Sequence, residues 1–214
     1  MRLSSPNITS KFLKPISKST KHTLFPSKAS AVPKLAVVVV FPTPPLPEEV
    51  KAIVEELKPD FDYILLDCPA GIEQGFMNAV AGADEAIVVS TPEISSVRDA
   101  DRVVGLLEQK ELTEPPMLVI SRIRRHMMND GDMMDVDEIT HHLSIKLIGI
   151  VFDDDEVISY SNKGEPIVLN EKNPASQGYR NIARRLEGET VPLMTIRETE
   201  KGGFMKKFIS WFKK

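Results

Sequence analysis

A chain of 214 residues, 42% hydrophobic and 27% charged, can bury one substantial core and has the composition of an ordinary globular protein. Its one cysteine, Cys68, excludes an internal disulfide and fits a reducing compartment, and no apolar run approaches the roughly 18 residues of a membrane span, so membrane contact has to be peripheral. The net charge of -4 conceals an asymmetry: residues 1–47 carry seven Lys/Arg and no acid, residues 201–214 carry five Lys and no acid, and the body between them is strongly acidic. Basic ends on an acidic body point to an anionic partner for the ends and away from nucleic-acid binding by the body.

Residues 1–47 are dominated by Ser, Thr, Lys and Pro, with Leu35–Phe41 as the only apolar run and prolines at 42, 44, 45 and 47. Such a segment buries too little apolar surface to offset its ordering entropy and is expected to be disordered. From Glu48 the pattern becomes regular. Val50–Leu57 has helical spacing, Tyr63–Asp67 reads as a buried strand, Phe76–Ala81 opens a helix, and Ala86–Ser90 is a second strand. Ser95–Gln109 is an amphipathic helix that offers Val97, Val103, Val104, Leu106 and Leu107 to a core. Met117–Ser121 is a third strand, Asp135–Leu143 a short helix and Leu147–Val151 a fourth strand. Ile167–Leu169 reads as a short extended segment, and Pro174–Glu187 as a helix with proline in its first turn. Strands alternating with helices predict an α/β fold with a doubly wound, mostly parallel sheet. Residues 48–190 form the expected domain, 191–202 a charged linker and 203–214 a separate helix.

The stretch Y-I-L-L-D-C-P-A-G-I-E-Q-G at 63–75 is where chemistry is expected, because an apolar strand stops on a carboxylate and enters a Pro-Ala-Gly turn. Open α/β sheets bind ligands at the carboxyl ends of their strands, and a carboxylate there can hold Mg²⁺ through water beside a nucleotide phosphate. Asp67 is therefore a candidate metal-site residue; the competing reading is an Asp that caps its own turn. Cys68 has no placed His or Asn partner and reads as a small buried hydrophobe. The acids at 130, 132, 135 and 137 and at 153–155 lack the spacing of a Ca²⁺ loop and read as surface turns and helix caps. His141 and His142 are adjacent on a helix and cannot face one metal together.

The tail G-F-M-K-K-F-I-S-W-F-K-K at 203–214 stands on its own pattern. On a helix, Phe204, Met205, Phe208, Ile209, Trp211 and Phe212 fall largely on one side, flanked by Lys206, Lys207, Lys213 and Lys214. A short basic helix with exposed aromatics suits the plane of an anionic bilayer, the alternatives being its own core or a partner groove.

D-C-P-A-G-I-E-Q-G-F at 67–76, A-G-A-D-E-A-I-V-V at 81–89, T-P-E-I-S-S-V-R-D-A-D-R at 91–102, N-K-G-E-P-I-V-L at 162–169 and the basic aromatic tail follow one another in the order of a known family. In these pieces the chain, from about residue 50 to its end, resembles the ParA/MinD family of P-loop ATPases and its membrane-cycling, division-site branch. The resemblance implies ATP and Mg²⁺ as cofactors, with Asp67 beside the metal and the attacking water, and with Pro69, Ala70 and Gly71 as the switch that senses the γ-phosphate. It places base recognition at Ser121 and Arg122 and at the loop containing Asp153, although Ser121 and Phe152 depart from the family's Asn and Pro. It makes Asp99, Asp101 and Arg102 part of a surface for MinC- and MinE-like regulators, where composition alone reads a charged helix face. It further implies an ATP-dependent homodimer that pairs two tails, and a cytoplasmic protein peripheral on the inner face of the cell membrane.

The family's phosphate loop, G-K-G-G-V-G-K-T, does not occur in the sequence. Codons for G-K-G-G-V-G-K-T-T-T-T-A, reverse-complemented and read one base out of phase, can encode A-V-V-V-V-F-P-T-P-P-L-P, which is the sequence at 36–47; A-N-L-G-T-A-L-A likewise can become A-S-A-V-P-K-L-A, the sequence at 29–36. The head is thus read as the phosphate-loop region decoded from the wrong strand. On that reading the chain has half of a nucleotide site and little or no ATPase activity. The other readings are a non-catalytic membrane and partner-binding module, and a plastid member of the family with residues 1–47 as transit peptide.

Overall fold

The computed structural model describes residues 36–40, 46–68, 72, 74–110 and 112–196. In chain order these form β1 (Ala36–Val40), α1 (Pro47–Leu57), β2 (Tyr63–Asp67), α2 (Gln74–Val80), β3 (Ile87–Ser90) and α3 (Ile94–Leu107). They continue with β4 (Met117–Ile123), α4 (Arg125–Asp130), α5 (Val136–Leu143), β5 (Lys146–Phe152), α6 (Asp155–Lys163), a 3-10 turn (Ile167–Leu169) and α7 (Pro174–Leu186). Every strand pairing is parallel, as the alternation of strands and helices requires. The expected α/β architecture is present, as a two-stranded sheet β1–β2 and a three-stranded sheet β3–β4–β5.

The main core lies between β3–β4–β5 and the helices α2, α3 and α5. Helix α3 contributes Val97, Ala100, Val104 and Leu107, a stripe with helical spacing whose valines and leucine each stabilise by about 1.5–3 kcal/mol when fully buried. Asp135 caps α5 by accepting from Asp137 N at 2.9 Å, and Glu138 reaches back to Asp135 N at 3.2 Å; the acid pattern at 130–137 thus serves helix initiation, as expected of it. On the other side of β5, α7 begins at Asn173, whose side chain accepts from Ala175 N and Ser176 N, with Pro174 in the first turn. This helix approaches so closely that a Cβ on Gly178 would lie 2.6 Å from Ile150 O, and one on Gly149 would collide with Ile182.

The structure departs from the sequence reading in four places. Ala36–Val40, inside the segment expected to be unstructured, pairs with β2 in the register Ala36 with Tyr63 through Val40 with Asp67, and buries Val39 against Ile53 and Leu57. A valine run is a strong strand former, and the edge of β2 provides its partner; residues 1–35 and 41–45 lie outside the described residues. Ile167–Leu169 is a 3-10 turn and not an extended segment, because Asn170 N closes back on Ile167 O at 2.9 Å. Helix α6, capped by Asp154, and the short α4 lack the apolar periodicity that would announce them: neither buries a residue. Finally, residues 191–196 are not a detached linker, since Met194 and Ile196 pack on the main core.

The two sheets leave apolar surface uncovered. Parallel strands are ordinarily covered on both faces, yet β3 buries only Val88 and Ser90, and Val89 remains 63% exposed; Leu65 of β2 is 46% exposed. Among the described residues no helix is long and apolar enough to cross a membrane.

Candidate functional site

The carboxyl ends of β4 and β5 build a candidate site. Both strands end in short loops, and Asp153 N donates to Ile123 O at 3.0 Å, so the two loops are tied side by side. Arg122 adopts a left-handed backbone at φ 56°, uncommon for a residue with a Cβ, inside β4 where its register with β5 shifts between Ile120 and Ile123. The guanidinium groups then converge on one carboxylate: Arg124 Nε lies 2.6 Å from Asp153 Oδ2, and Arg122 Nε lies 3.9 Å from Oδ1. The Asp153 hydrogen bond and charge push the already basic Arg124 up further.

Beside this pair Arg125 lies over the Phe152 ring at 4.1 Å from its centroid, a cation–π contact, while its buried Nε has no hydrogen-bond partner. These residues line a cleft of about 590 Å³, closed by Asp154, Asp155, Glu156 and Pro174. Glu156 is already engaged, accepting from Asn170 Nδ2 at 3.0 Å and from Asn173 Nδ2 at 2.8 Å. What the cleft presents is the Arg125 guanidinium stacked on Phe152, with its Nε buried and unpartnered, and a rim of carboxylates.

Of the expected site residues, Arg122 and Asp153 come together here, with Asp153 spent on arginines. Ser121 is half-buried one residue earlier in β4. Sequence reasoning treated Phe152 only as a departure and did not anticipate its pairing with Arg125; the signal was an aromatic at one strand end and an arginine just past the other. Asp67 stands exposed at the end of β2 and does not line this cleft. Next to it Cys68, one residue past the end of β2, is exposed, contrary to the expectation of a buried hydrophobe, although its sulfur is partly desolvated. Desolvation of the sulfur, and then the Asp67 charge, push its thiol pKa up. Pro69, Ala70 and Gly71 lie outside the described residues, as do residues 203–214. Asp99, Asp101 and Arg102 are exposed on α3, where Arg102 Nη1 and Asp99 Oδ1 form an i,i+3 pair at 3.5 Å. Among the described residues no cluster of three or more His, Cys, Asp and Glu could hold a metal.

A family model described as ParA, NUBPL iron-transfer P-loop NTPase, matches residues 2–187. The chain belongs to the ParA family of P-loop NTPases. The similarity is strongest on the septum-site branch, as the resemblance implied: the septum site-determining protein MinD of Bacillus subtilis is 64% identical over 166 residues, 78% of this chain and 62% of that protein. Among solved structures, the MinD cell division protein of Aquifex aeolicus is 46% identical, covers 70% of this chain and 64% of its own, and superposes with a TM-score of 0.66. The MinC:MinD cell division protein complex of the same organism gives the same identity and TM-score over 62% of its chain. This ParA-family chain therefore spans a little under two thirds of the length of these relatives.

Proposed function

We propose that this ParA-family chain is a MinD-like regulator of division-site placement that acts through peripheral membrane association. The observation that carries the reading is the 64% identity to the Bacillus septum-site protein over 166 residues. The amphipathic 203–214 sequence supplies the membrane contact, with Phe204, Phe208, Trp211 and Phe212 for the acyl boundary and its lysines for anionic headgroups. The location that follows is the inner face of the cell membrane. In an ATP-dependent homodimer two such tails would act together, and avidity would multiply two weak contacts.

For ATP the residues present fit unequally. The Arg125–Phe152 wall fits the base, but phosphates need a nest of backbone N–H groups and a lysine, which G-K-G-G-V-G-K-T supplies and this sequence lacks. Asp67, proposed for the Mg²⁺ and water side, lies off the cleft. Phosphate and metal binding are therefore not supported by these residues, and no hydrolytic step is derived. Calorimetric titration with Mg-ATP tests this: binding should be weak, and turnover should not exceed that of an Asp67→Ala control. Micromolar affinity would overturn it and would require another segment in place of the phosphate loop.

A non-catalytic partner-binding role is favoured by one specific observation, that Asp99, Asp101 and Arg102 all stand exposed on a well-anchored helix. The solved MinC:MinD neighbour makes a MinC-like regulator the first partner to assay on this face, followed by a MinE-like one. Charge reversal at Asp101 should weaken capture of such a regulator without lowering the thermal midpoint.

A further inference from the structure

Arg185, near the end of α7, fastens the chain that follows it. Its Nη1 donates to Ile148 O on β5 at 2.8 Å, its Nε to Val191 O at 2.9 Å and its Nη2 to Pro192 O at 2.7 Å. One side chain thus holds residues 191–192 against the sheet, and Met194 and Ile196 go on to pack over the main core. The strap covers its side of a second cleft, of about 550 Å³, lined by Leu193, Met194, Ile196, Met128, Val136 and Asp137. Its apolar lining includes two methionines, Met128 and Met194, side chains that adapt to irregular partners, and Leu193 is 47% exposed. Asp135 and Asp137 line it, within a run of nine residues that also carries Asp130, Asp132 and Glu138, and all of these acids but Asp135 are exposed.

We propose that this cleft receives the chain's own tail when no membrane is present, with aromatic side chains from residues 204–212 among the methionines and the tail lysines on the acidic rim. Reach supports this occupant: Ile196 itself lines the cleft, and residues 197–203 can span up to about 25 Å. Charge supports it too, since residues 201–214 carry five lysines and no acid. Pockets of about 300–1,000 Å³ hold a drug-sized ligand, so an indole or a pair of phenyl rings is accommodated. The bilayer and the cleft then compete for one apolar face, and apparent membrane affinity falls in proportion to the fraction of tail that is stowed.

The inference rests on the amphipathic reading of the tail, and Trp211, the only tryptophan, reports on it without lipid. In the full chain Trp211 emission should be blue-shifted, and acrylamide quenching several-fold weaker, than in the same chain unfolded in urea. Leu193→Asp and Asp137→Lys alter exposed positions and should each restore ready quenching while circular dichroism is unchanged. On phosphatidylglycerol vesicles both variants should bind more tightly than the parent, about tenfold if nine tenths of the parent is stowed. Quenching in the folded parent equal to that in urea, or quenching unmoved by both variants, overturns the proposal. Variants that release Trp211 yet ignore vesicles leave the stowed tail standing and refute the membrane role; a parent with exposed Trp211 that binds vesicles does the reverse.

Discussion

One substitution made at two glycines should change stability in opposite directions. In α7, Gly178 faces β5 so closely that an added Cβ would lie 2.6 Å from Ile150 O and 3.3 Å from Val151 Cα, and neither backbone atom can rotate away. In α3, a Cβ on Gly105 meets nothing within 4 Å. Alanine gains about 0.8–1.0 kcal/mol over glycine in a helix interior, and less near an end. Forcing a methyl into a packed interface costs about 1–3 kcal/mol, and a contact with unyielding backbone belongs at the upper end, about 2–3 kcal/mol. Gly105→Ala should therefore collect the gain alone, whereas Gly178→Ala should lose a net of about 1–2 kcal/mol because α7 must lift from the sheet. For a chain of this length 1 kcal/mol moves the midpoint by about 2–4 °C, so Gly178→Ala should melt about 2–8 °C lower and Gly105→Ala up to about 4 °C higher. Thermal and urea melts followed by circular dichroism read both. If Gly178→Ala equals or exceeds the parent in stability, the close packing of α7 on β5 is not as described, and with it the Pro174 wall of the cleft at the ends of β4 and β5.

The uncovered strand faces should make the chain bind a hydrophobic dye in its native state, and Leu65→Lys with Val89→Lys should reduce that signal; a parent that is dye-negative with a sharp monomeric melt contradicts the open faces. Two copies of residues 203–214 in tandem on a soluble reporter should bind anionic vesicles at low salt far better than one copy, because each lysine contributes about 1 kcal/mol near the surface and the second tail binds at raised effective concentration. Trp211→Glu should abolish that binding and Ser210→Ala should not, and indifference to Trp211→Glu would point to a protein partner instead. Since burial and Asp67 both raise the Cys68 pKa, its thiolate is scarcer at a given pH, so alkylation at pH 8 should run slower than in the urea-unfolded chain. Asp67→Asn removes one of the two causes and should accelerate it; an unchanged rate would show that Asp67 does not act on the sulfur.

Local pattern was sufficient for β2, β3, β4 and β5, for α1, α3, α5 and α7, and for their parallel arrangement, because apolar periodicity and chain order are one-dimensional properties. It was equally sufficient for the start of α5 at Asp135, for Pro174 in the first turn of α7 and for the family, which the ordered motifs around Asp67 and Arg102 carry. It did not yield α6, which packs the half-buried Val157 on the sheet but has no fully buried residue, and so offers no wide apolar stripe to read. Nor did it show that Arg125 would cover Phe152 across two loops, that Asp153 would be consumed by Arg124, or that Arg185 would bind three carbonyls from two separate segments. Apart from the local bonds of Arg185 to Val191 and Pro192, each of those contacts joins residues whose nearness exists only after the strands have paired. The sequence by itself determined what each segment could become and which chemistry it carried; the tertiary structure alone decided which charged groups meet, which are spent on one another, and which, like the buried Nε of Arg125, find no hydrogen-bond partner.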